Sequence, residues 1–201
     1  MAFPVAKHQQ IGASLIEFMI ASLVGVMALA IIGSVFISNQ RVALQRSQEI
    51  MLQQQMSMVM HQLKRDVLRA GYNYLDSYSL QFIDKPDLIS VTDHSIGYVY
   101  YIHSHSAEKF SHTLYRLDSS SLKYCQANYL IPQSTASMTR CFNLFDPKQV
   151  RVTQFSVERF PINGQAVQSA VISIDVSASL VANPEVAHSM QLHITQRNWQ
   201  S

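Results

Sequence analysis

The chain has 201 residues, 14% of them charged, a formal net charge of +2 and two cysteines. That length supports one domain with a hydrophobic core once a membrane segment is set aside, and the scattered basic residues form no dense patch for a nucleic-acid partner. Glycine occurs only at 12, 25, 33, 71, 97 and 164, which leaves no phosphate-cradling loop, and no G-x-S-x-G, H-E-x-x-H or C-x-x-C motif is present, so neither enzymatic activity nor a cofactor is expected.

The N-terminal stretch MAFPVAKHQQIG carries Lys7 as its one lysine or arginine. From Phe18 to Ile37 the chain reads FMIASLVGVMALAIIGSVFI, twenty residues without a charge. At about 1.5 Å per residue this just spans a hydrocarbon core of about 30 Å, so a transmembrane helix is expected. A discarded secretory signal would have a shorter apolar region and a small-residue cleavage site. Lys7 and the initiating amine favour a cytoplasmic N-terminus.

Glu17 stands one turn inside this apolar run. A carboxylate at mid-membrane costs roughly 2.5 to 3.5 kcal/mol, which usually marks a function. The alternative is a residue at the headgroup boundary that gains a few tenths of a kcal/mol from the helix dipole. The residues alone leave both readings open.

The run Gly12, Ala13, Ser14, Leu15, Ile16, Glu17 within GASLIEFMIA resembles the type III signal of type IV pilins and type II secretion pseudopilins. In that family an inner-membrane prepilin peptidase cuts after the glycine and methylates the new N-terminal amine. The resemblance implies a leader over 1–12, a cut between Gly12 and Ala13, and N-methylation of Ala13. It makes Glu17 the fifth mature residue, which in the family pairs with the N-terminal amine of a neighbouring subunit. The family usually has phenylalanine at the first mature position, where this chain has Ala13.

Beyond Ile37 the helical pattern continues, with Leu52, Met56, Met60, Leu63 and Val67 at spacings of three and four. The expected division is 1–12 leader, 13–40 transmembrane and filament-core helix, 41–71 amphipathic half ending near Gly71 as a C-cap, and 72–201 a β-rich domain. The segment MHQLKRDVLRAGYNY, Met60 to Tyr74, and the final QRN before Trp199 resemble minor pilins of the PilW kind. Minor pseudopilin J of type II secretion systems is similar at the helix end.

Strands are expected over 88–92, 97–102, 113–117, 150–160 and 170–180, which are rich in β-branched and aromatic residues. In the last, Ala170, Ile172, Ile174, Val176, Ala178 and Leu180 alternate with a more polar set, the pattern of a half-buried strand. The fold class is α+β: a long N-terminal helix packed on an antiparallel sheet, a pilin-like arrangement. Downstream of an export signal, Cys125 and Cys141 suggest a disulfide, with two buried thiols as the alternative.

His94, His103, His105 and His112 cluster in sequence, and His103 and His105 would share one face of a strand. Exposed histidines without a metal are the favoured reading, and Asp84, Asp87 and Asp93 read as solvated turn residues. The resemblance implies a minor pilin that primes assembly of a type IV pilus or sits at its tip, in support of adhesion, motility or DNA uptake. Its partners would be other minor and major pilins, the prepilin peptidase, the inner-membrane assembly platform and a tip adhesin. It would begin as a single-pass inner-membrane protein with its domain in the periplasm. The rivals are a type II secretion minor pseudopilin and a signal-anchored periplasmic binding domain.

Overall fold

The computed structural model describes residues 14–75, 80–103, 109–164 and 168–198. Gly12 and Ala13, and with them the expected cut, lie outside these residues, as do His105 and Trp199. The chain divides into two units, Met1–Arg46 and Ser47–Ser201. Helix α1, Leu15–Val67, contributes to both.

Within the first unit the described helix is apolar and exposed: Phe18, Ile20, Leu23, Val26, Ile31 and Phe36 are each more than half accessible. Its best window has a mean hydropathy of 2.5, and among the described residues α1 is the one helix long and apolar enough to cross a membrane. The hydroxyls of Ser22 and Ser34 donate to the carbonyls of Met19 and Ile31, at 2.9 and 2.8 Å. Both polar groups are thus satisfied within the helix, as a lipid environment requires.

Among the described residues the second unit contains the amphipathic end of α1 and eight strands: β1 Ile89–Thr92, β2 Ser95–Tyr101, β3 Phe110–Asp118, β4 Ser121–Tyr129, β5 Cys141–Asn143, β6 Val150–Asn163, β7 Gln168–Leu180 and β8 Ala187–Thr195. The sequence leads one to expect a single sheet; the described residues form two, a five-stranded meander in the order β1-β2-β3-β4-β5 and a three-stranded one in the order β6-β7-β8. Every pairing is antiparallel.

One side of α1 covers both sheets. Leu52, Met56, Met60, Leu63 and Val67 are all buried, joined by Val59, and they pack with Ile96, Tyr98, Tyr115 and Leu122 of the meander and with Phe155, Ile172 and Ile174 of the second sheet. The alternating set from Ala170 to Leu180 is likewise buried. At about 1.5 to 3 kcal/mol for each fully buried large apolar side chain, this shared core is the main force holding the helix end to the domain.

The opposite face of the meander has its own small core of Leu80, Phe82, Val99, Tyr101, Leu114, Cys125 and Met138. Tyr98 and Tyr100 point to the helix side while Val99 and Tyr101 point away, as the two-residue strand period requires. Gly97 lies where a Cβ would come within 3.0 Å of both Phe82 and Leu114.

Helix α1 ends at Val67, earlier than expected, and a turn runs through Gly71. Gly71 has φ +76°, and its N–H donates to the carbonyl of Val99 at 2.8 Å. A side chain there would be strained by the left-handed backbone and would run into Leu88.

Candidate functional site: the helix start and the disulfide loop

In the first turn of α1 the N–H groups of Glu17 and Phe18 donate to the carbonyl of Ser14, at 2.9 and 3.1 Å. Glu17 is an acidic residue in that first turn, the end of the helix where the exposed N–H groups favour negative charge. Its side chain is exposed, and the next charged residue along the helix is Arg41. One carboxylate therefore stands at the head of an uncharged surface wide enough to pack against lipid or against other helices.

In the second unit, Cys125 and Cys141 form a disulfide with Cα atoms 4.0 Å apart, directly opposite one another on β4 and β5. The loop they close is fastened to the rest of the domain by polar contacts. Asp84 accepts from the N–H of Thr135 at 2.9 Å and from its hydroxyl at 2.6 Å. Partial burial opposes ionisation of Asp84, but the two Thr135 bonds prevail and hold its carboxyl below the usual range. The N–H of Gln133 donates to Nε2 of His112 at 2.8 Å, and the N–H of Ile83 donates to the carbonyl of Gln133 at 3.2 Å.

His94, His103 and His112, the described members of the histidine cluster, make separate contacts. His112 is fully buried on β3, with Nδ1 against the carbonyl of Phe110 at 3.2 Å and its ring edge-on to Phe82 and Tyr129. Burial lowers its pKa to about 4, which keeps it neutral, with Nε2 as acceptor. The expectation that it is exposed is therefore wrong. His94 lies 3.2 Å through Nδ1 from the carbonyl of Phe155. His103 follows the end of β2 rather than lying on it, and packs against Tyr74 and Tyr101. Among the described residues no three His, Cys, Asp or Glu side chains are grouped to hold a metal ion.

Asp84 and Asp87 are more than solvated turn residues, since Asp87 pairs with Arg159 at 3.1 Å. Sequence reasoning also missed a network at the helix end: the hydroxyl of Tyr115 donates to Asp66 at 2.7 Å. Desolvation first, and then the Asp66 carboxylate, push the Tyr115 pKa up, and burial pushes Tyr124 up to about 12. At the other end of the chain, Asn198 donates to the carbonyl of Ala70 at 2.7 Å. The AGY turn and the terminal QRN, singled out separately in the sequence, thus meet in space.

A membrane-length apolar helix that continues into a disulfide-bonded domain of antiparallel sheets defines a pilin-like, membrane-anchored extracytoplasmic protein. Residues 45–196 match the family described as prepilin peptidase-dependent protein B, and the chain belongs to that family. No curated protein and no solved structure matches it.

Proposed function

We propose that the chain is a minor subunit of a type IV pilus, of the PilW kind. It is made as a prepilin, cut by the prepilin peptidase between Gly12 and Ala13, N-methylated on Ala13, and taken into the filament or its tip through its apolar helix. The observation that carries this reading is Glu17: a carboxylate in the first turn of a helix otherwise uncharged to Arg41, on a chain that belongs to a prepilin peptidase-dependent family. The contact of Asn198 with the AGY turn supports the PilW comparison, because the two stretches that carry it form one feature.

In this reading the helix has two successive environments. Before assembly, lipid covers the apolar surface, with the globular domain in the periplasm. On assembly, neighbouring helices replace the lipid, and the amine of an adjacent subunit gives Glu17 the counter-charge that a buried carboxylate requires. The role is structural and needs no catalysis by this chain.

The test compares wild type with Glu17→Ala in a piliated strain. Cleavage of the variant in the membrane fraction should be intact, and the variant should be missing from sheared filaments. Normal filament entry by Glu17→Ala would defeat the pairing argument.

A further inference from the structure

We propose that the outer edge of β4, from Gln126 to Tyr129, is a docking cleft for an extended, carboxylate-bearing segment of a partner protein. β5 pairs with β4 only over Lys123, Tyr124 and Cys125, the last held to Cys141 by the disulfide. Had the ladder continued in register, Gln126 would face Arg140 and Ala127 would face Thr139. The two stretches instead part at the disulfide. Among the described residues no strand pairs with this edge of β4 beyond Cys125, although β3 pairs with its other edge through Tyr129.

The opening is a cleft of about 540 Å³ lined by Gln126 to Tyr129 on one wall and by Ser137, Thr139 and Arg140 on the other. Its walls are held in place. The disulfide closes one end, and the Tyr129 hydroxyl reaches across to the carbonyl of Ser137 at 3.0 Å. The far wall is fastened from behind through Thr135 to Asp84 and through Gln133 to His112. The side chain of Gln126 is fixed between Tyr124 and Ser111, at 2.8 and 3.0 Å. A site already ordered in this way loses little freedom on binding.

An unpaired strand edge is a template for another strand, and four residues present about 13 Å of it. Strand addition to such an edge draws affinity from main-chain hydrogen bonds and selectivity from side chains at the rim. Among the described residues Arg140 is the one charged residue of the lining, and it is exposed. That cation specifies an acidic residue on the incoming strand. Leu130, Ile131 and Phe142, which adjoin the two walls in sequence, are all more than half exposed and offer apolar contact at the ends.

The proposal is independent of filament assembly and of the leader, and so is its test. A displayed library of random ten-residue peptides is selected against the full chain in detergent micelles, and the enriched peptides are resynthesised. They should be rich in Asp or Glu, and should slow amide exchange at Gln126 to Tyr129. Their affinity should fall about fivefold or more with Arg140→Glu and stay unchanged with Arg151→Glu, an exposed charge elsewhere. Enrichment without acidic residues, affinity indifferent to Arg140→Glu, or self-association of the chain that Arg140→Glu abolishes would each overturn it. The last would make a second copy the occupant.

Discussion

His112 makes the stability of the domain depend on pH in a calculable way. Its ring is fully buried, and Nε2 accepts the N–H of Gln133, so a proton added there would set a donor against a donor. Burial holds the folded pKa at about 4, against 6.5 when unfolded. Between those values the unfolded state binds the extra proton. The stabilisation is therefore fully present above pH 6.5 and is lost progressively as pH falls toward 4. A difference of about 2.5 pH units at 1.36 kcal/mol each gives roughly 3 kcal/mol as the upper limit. The assay is urea unfolding of the domain followed by near-ultraviolet circular dichroism at pH 7.5, 5.5 and 4, for wild type and His112→Gln. The glutamine does not titrate, so subtracting the two curves removes the contribution of the carboxylates. Parallel losses of stability in both proteins would refute the reasoning.

Gly71→Ala should cost about 1 to 3 kcal/mol, because the added carbon meets the Leu88 side chain and the backbone there is left-handed; an unchanged urea midpoint would contradict this. The tyrosines on the helix side should respond in opposite directions. Tyr98→Phe removes a buried hydroxyl that finds no hydrogen-bond partner among the described residues, and should leave stability unchanged or raise it by about 1 kcal/mol. Tyr115→Phe takes the donor from Asp66 and should lower it by about 1 to 3 kcal/mol, with both read from thermal melts. Replacing Cys125 and Cys141 together by serine opens a loop of about 15 residues, for which loop-closure entropy predicts a loss of about 3 kcal/mol in chemical denaturation.

What was legible in the sequence followed local pattern. The stripe from Leu52 to Val67 and the alternation from Ala170 to Leu180 both matched the periods of their elements, and both are buried. β4, β5 and β8 escaped notice for physical reasons. β8 is an edge strand in which Ile194 alone is fully buried, and β4 has Lys123, Gln126 and Asn128 among its residues. Such strands lack the dense β-branched and aromatic runs that identified the others. The split into two sheets depends on which strands pair, and no single segment encodes that. His112 was misread as exposed because its cover, Phe82 and Gln133, comes from segments far from it in sequence. The helix ended early because Gly71 bonds to Val99 of β2, a contact absent from the helical pattern itself.

The leader and the role of Glu17 are proposed from motif resemblance, whereas periodicity alone gives a membrane helix with a costly charge near its start. The family match spans 45–196 and so adds evidence from the domain, independent of those N-terminal residues. The most direct test of the account is mass analysis of the mature N-terminus, on membrane-fraction protein from cells with and without prepilin peptidase. The account predicts a chain beginning at methylated Ala13 when the peptidase is present and an uncut chain retaining residues 1–12 when it is absent. A chain that keeps residues 1–12 in both strains would contradict it.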